Sequence, residues 1–191
     1  MLIPYTEMHL VTGVVIFIEC LFLFYLVIHY LIWPDDRSRF WYLILLALLI
    51  FYNLSGGLLP DPHIRVSILL QNIVAYGGGF LMASYFPFFF YKSFELSRLK
   101  WHALYGVPLF LLIPYVAVFM VWYPMHENLE MAIRIGMPVL FLYSLVLIVV
   151  ILALIKSMFN EERQDGAYNT RFEMLAVYFS VAPMVLMSVF S

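Results

Sequence analysis

Residues 9–33 read HLVTGVVIFIECLFLFYLVIHYLIW, and Glu19 is the one Asp, Glu, Lys or Arg among them. A bilayer's hydrocarbon core, about 30 Å thick, is crossed by about 20 apolar residues of helix. The stretch is therefore a membrane span. It is too long for the apolar region of a secretory signal, and Met1 to Glu7 lacks both a basic segment and a small-residue cleavage site. The span is expected to stay in the mature protein.

The same pattern recurs down the chain. Apolar runs at 40–59, 66–91, 103–123, 131–155 and 174–191 follow the first, each separated from the next by polar, turn-forming residues. Pro34 to Arg39, Pro60 to His63, Lys92 to His102, Pro124 to Asn128 and Asn160 to Phe172 are the breaks. Proline and aspartate clusters free backbone groups that lipid cannot satisfy, so a lipid-facing helix cannot continue through them. The expectation is an all-α, polytopic transmembrane bundle of about six helices forming one domain.

Composition agrees. Of 191 residues, 65% are hydrophobic and 12% charged, whereas a soluble domain carries about 25% charged residues. A soluble fold of this length would lack the polar surface to cover itself. The net charge of −2 provides no field for nucleic acid. Cys20 stands alone, which excludes an internal disulfide and a multi-cysteine metal site.

Lysine and arginine set the orientation. Eight of the ten fall in the first, third and fifth connections: Arg37, Arg39, Lys92, Arg98, Lys100, Lys156, Arg163 and Arg171. Arg65 and Arg134 alone lie in the others. The odd connections are expected in the cytoplasm and the N-terminus outside, in a bacterial inner membrane. Trp33, Trp41, Trp101 and Trp122 fall at span ends, where interfacial aromatics anchor. Six spans that start outside also finish outside, so a seventh helix is expected after Ser191.

Glu19 is the most informative residue. A mid-membrane carboxyl is expensive and is a functional hypothesis by default; the low dielectric favours its neutral form, able to donate a hydrogen bond. The competing reading is an ordinary interhelical hydrogen bond. Asn53, Gln71 and Asn72 are expected near the outer ends of the second and third spans, Tyr76 a turn deeper, and Arg134 at the outer start of the fifth. With Glu19 they form a candidate ligand-binding set open to the outer face. Snorkelling explains Arg134 better than pairing with Glu19 does.

Other features carry less. Gly77-Gly78-Gly79 follows a membrane helix rather than a strand, so helix packing or a hinge outweighs phosphate contact. His9, His63 and His126 fall outside, and His29 and His102 near the cytoplasmic boundary. None shows metal-ligand spacing, and interfacial histidines explain them better. No cofactor, metal or catalytic residue is assigned. Nucleotide-loop, nucleophile-elbow and zinc-helix motifs are absent from the sequence. Pro87, Pro108, Pro114 and Pro183 interrupt spans, as membrane helices tolerate. Asn53-Leu54-Ser55 matches a glycosylation sequon but lies inside a span.

Three stretches carry a resemblance: Leu70-Gln71-Asn72-Ile73-Val74-Ala75-Tyr76-Gly77-Gly78-Gly79, Tyr85-Phe86-Pro87-Phe88-Phe89-Phe90-Tyr91-Lys92, and Lys100-Trp101-His102-Ala103-Leu104-Tyr105-Gly106-Val107-Pro108-Leu109-Phe110. They resemble the multi-pass N-terminal membrane regions of bacterial LuxR-type helix-turn-helix regulators and of seven-helix sensor histidine kinases. That resemblance implies a sensor whose last helix leads to a cytoplasmic output domain, which this sequence does not contain.

The expected function is a non-catalytic sensory or signal-transducing module of a larger bacterial signalling or transcription-regulating protein. Expected partners are the lipid bilayer and a small ligand from the outer side, with no nucleic acid bound by this chain and a homodimer left open. A small transporter or channel coupled through Glu19 is the alternative, and an intramembrane metal-dependent hydrolase comes third.

Overall fold

A computed structural model describes residues 8–33, 37–93 and 99–165, without the side chains of 37–39, 151 and 153–165. The described residues are helical, with no β-strand among them. Five helices are long and apolar enough to cross a membrane. They are α1 (Leu10–Ile32), α2 (Arg37–Leu58, apolar from Phe40), α3 (Ile68–Ser93), α4 (His102–His126) and α5 (Leu129–Asp165, apolar to Val150). The expected sixth span, Met174–Ser191, lies outside the described residues, and so does Pro183. Five is therefore the number of spans among the described residues.

Boundaries follow local chemistry. Trp33 closes α1, its N–H donating to the His29 carbonyl at 3.0 Å ahead of Pro34. Ser67 caps α3, its Oγ accepting the Leu70 N–H at 3.3 Å. α4 ends on Glu127, whose φ of 51° is left-handed, and Asn128 starts α5 by accepting the Met131 N–H at 3.0 Å. Several boundaries differ from expectation, α2 beginning at Arg37 and α3 running to Ser93. Pro124 lies within the last turn of α4 rather than beyond it. α5 continues past Ile155 to Asp165, because Asn160 to Asp165 contain no proline or glycine and helix tolerates such residues outside hydrocarbon.

The chain falls into two compact units, Met1–Met137 and Pro138–Ser191. In the first, α1 packs on α2, α2 on α3, and α3 on α4. α3 is the most buried span and α1 the least. Most large side chains of α1 are exposed, the surface expected of a helix solvated by lipid.

Lipid is as apolar as leucine, so helices here associate through close packing and polar contacts rather than the hydrophobic effect. The glycine run of α3 supplies that closeness. A Cβ on Gly78 would lie 2.5 Å from Ser55 Oγ and 3.4 Å from Tyr52 Cα, placing α2 directly against α3. A Cβ on Gly77 would lie 2.5 Å from the Tyr115 hydroxyl, which instead reaches past it to donate to the Ile73 carbonyl at 2.9 Å. The packing role expected of these glycines is the one seen.

α4 is wound unusually. His102–Gly106, Pro108–Leu112 and Val116–Trp122 form π-helical turns, in which Val107, Ile113 and Tyr123 N–H groups bond five residues back. Its buried side chains explain the need. Ala103, Val107, Leu111, Phe119 and Tyr123 are buried, with half-buried Tyr115 completing a strict four-residue period. At 3.6 residues per turn each four-residue step overshoots by about 40°, so over five steps the stripe would wind about 200° around the helix. Wider turns hold the stripe against α3, where Phe119 stacks on Tyr76 at 5.0 Å and Tyr115 lies 5.1 Å from Phe80.

Candidate functional site

Several polar side chains that cross between elements lie toward one end of the α1–α4 bundle, where the α1 N-terminus, the α2–α3 turn and the α4 C-terminus meet. Thr12 against Gly57, Gln71 against the turn, and Asn72 against Tyr123 define that end.

Glu19 lies about 14 Å along α1 from its start, from the 1.5 Å rise per residue. It is buried, and Oε1 accepts a hydrogen bond from Asn53 Nδ2 of α2 at 2.7 Å. Oε2 is buried too and has no hydrogen-bond partner among the described residues. The seam around the pair is apolar: Met8, Ile16, Leu46 and Ile50 form its core, with Leu23, Leu26, Leu49 and Leu58 packed against them. Among the described residues, no Lys or Arg is paired with the Glu19 carboxyl. An isolated ionised carboxylate in such surroundings is strongly disfavoured by the loss of its hydration.

Gln71, 1% exposed, holds the turn between α2 and α3. Its Oε1 accepts the Asp61 N–H at 2.6 Å, and its Nε2 donates to the Asp61 and Val66 carbonyls at 3.0 and 2.8 Å. Asp61 is itself buried, and its Oδ1 accepts the His63 N–H at 2.8 Å. Three hydrogen bonds from one side chain thus pair backbone groups that a buried loop would otherwise leave unpaired.

Asn72 and Tyr76 belong to the α3–α4 seam. Asn72 donates through Nδ2 to the Tyr123 hydroxyl at 3.0 Å, and Tyr76 stacks on Phe119. Arg134 faces away from all of these. Its guanidinium is exposed and pairs with Glu130 at 2.6 Å, one turn earlier on α5.

The six sequence candidates therefore occupy four places. Glu19 and Asn53 meet directly, Gln71 braces a turn, Asn72 and Tyr76 knit α3 to α4, and Arg134 forms a surface pair. Asp61, Tyr115 and Tyr123 join this chemistry without having been candidates for it. A signal existed for each: an aspartate between two prolines favours the Asx-type bond to His63, and the tyrosines continue the four-residue stripe of α4.

The histidines do not converge with acids or Cys20 into a group of three that could hold a metal, among the described residues. His126 stacks on Trp122 at 4.4 Å and meets its carbonyl at 2.9 Å through Nδ1. Trp33 and Trp101 are exposed, as anchors would be, whereas Trp41 packs edge-on against Phe88.

Fold and composition together define an all-helical, multi-pass membrane protein. No protein-family model matches the chain, and neither a curated protein nor a solved structure matches it.

Proposed function

We propose that this chain is a non-catalytic sensory module of a bacterial inner membrane, with its N-terminus outside, working within a larger signalling or transcription-regulating protein. One observation carries the reading: the polar contacts of Glu19 with Asn53, of Gln71 with the α2–α3 turn and of Asn72 with Tyr123 lie between mid-span and one end of the bundle. The distribution of Lys and Arg supports reading that end as the outer one.

The opposite ends of the same spans are knit mainly by aromatic contacts, together with a tyrosine hydroxyl bonded to a backbone carbonyl. Trp41 meets Phe88, Tyr42 meets Phe89, and Tyr85 donates to the Trp41 carbonyl at 3.0 Å. A transporter needs polar stations through both leaflets, and this one-sided distribution favours reception over passage. A small ligand arriving from the outer side would act by binding one helix arrangement better than another, and so shifting their populations. The α1–α2 contact through Glu19 and Asn53 is the element such a ligand would bias.

The test is transcription in the host, comparing wild type with Glu19→Gln and Glu19→Leu at equal membrane insertion. Altered transcript levels in either variant support the sensory reading, and unchanged levels in both remove Glu19 from it. Glu19-dependent solute uptake by proteoliposomes would favour the transporter instead.

A further inference from the structure

Glu19 Oε2 is a buried acceptor with no partner among the described residues, and what could occupy it is narrowly bounded. It has essentially no accessible surface with the seam closed, so a water-borne solute has no aqueous route to it. A hard cation needs about six oxygens, and beside Oε2 the seam offers the Glu19–Asn53 pair within leucine, isoleucine and methionine side chains. A proton requires neither space nor further ligands. It also removes the one feature that apolar surroundings cannot accommodate, a net charge.

Among the described residues, no titratable group is paired with the carboxyl to change that balance. From α2, the element packed on α1, the group opposite is the non-titrating amide of Asn53. Tyr52 and Tyr42 of α2 turn toward α3, against Gly79 and Phe89 respectively. On α1 itself Cys20 is exposed, while Tyr25 and His29 pack on each other lower down the helix. Asp61 is engaged within its own turn.

We propose that Glu19 is a proton-binding site inside the membrane: a neutral carboxylic acid, held by Asn53, whose occupancy decides whether α1 stays seated on α2. With the proton bound, the acid satisfies Asn53 and leaves the seam uncharged. Once it is lost, the carboxylate must turn toward water or headgroups, and the α1–α2 seam opens around it. The inference rests on this geometry and stands apart from the sensory reading.

Dicyclohexylcarbodiimide tests it directly, because this lipid-soluble reagent adds to protonated carboxyls in apolar surroundings. The acid proton moves to one imide nitrogen while the carboxylate oxygen bonds the central carbon. The O-acylisourea then rearranges to a stable N-acylurea, with no leaving group. The full chain is reconstituted in liposomes, labelled across a pH series and read by peptide mass spectrometry. The expected result is an adduct on the Glu19 peptide whose rate falls about tenfold for each pH unit above the site's titration point. Asn53→Leu retains the adduct, since it leaves the carboxyl in place. Absence of an adduct on the wild-type Glu19 peptide at every pH overturns the proposal, without reliance on any variant's folding. So does a rate indifferent to pH, or equal labelling by a water-soluble carbodiimide.

Discussion

Replacing Gln71 with methionine preserves side-chain volume while deleting three hydrogen bonds, so its effect isolates their energy from that of a cavity. In the wild type the Asp61 N–H, the Asp61 carbonyl and the Val66 carbonyl are all paired by this amide. The two Asp61 bonds are buried and the Val66 bond is partly buried, so water can rescue the last but not the first two. Each buried group left unpaired costs about 1–3 kcal/mol. The turn should then open more easily by about 3 kcal/mol, which corresponds to roughly a hundredfold in an opening equilibrium. Hydrogen exchange at the Asp61 amide, followed in detergent or nanodiscs, reads this quantity. An Asp61 amide that exchanges no faster in Gln71→Met than in wild type would refute the bracing role.

Further perturbations probe the seams and a helix cap. Gly78→Leu must push Ser55 and the α2 backbone away, and should sharply lower the yield of folded protein. Gly56→Ala, where a Cβ meets nothing within 4 Å, should be neutral or stabilising by up to about 1 kcal/mol in reversible detergent unfolding. Tyr115→Phe should cost about 1 kcal/mol by losing its bond to the Ile73 carbonyl. It should also relieve the clash of Gly77→Ala, giving a coupling above about 0.5 kcal/mol in a double-mutant cycle; strict additivity would contradict the close approach. Asn128→Ala removes the cap of α5 and should cost about 1 kcal/mol, checked by the same unfolding measurement.

Much of the architecture was legible in the sequence, because a membrane imposes one simple rule. Backbone groups in hydrocarbon must be satisfied within the segment, so an apolar run of sufficient length is a helix, and a proline–aspartate cluster ends it. Residues 9–33 alone establish a span, and α1 covers Leu10–Ile32. Spans two to five were recoverable in the same way, to within a few residues at most ends. α5 is the exception: the polar residues after Ile155 mark where hydrocarbon ends, not where helix ends.

Only the tertiary structure decided partners. Periodicity does not say which helix lies beside which, so six polar residues at similar depth read as one group. The spatial order α1–α2–α3–α4 separates them, joining Glu19 to Asn53 and Asn72 to Tyr123 and turning Arg134 outward onto Glu130. The sequence by itself determined that a carboxyl would lie within the first membrane span, because helix length and apolarity depend on local residues alone. That Glu19 meets the Asn53 amide, with its second oxygen enclosed and unpaired among the described residues, depends on which helix packs against it, and such contacts between residues 34 positions apart exist only in the folded chain.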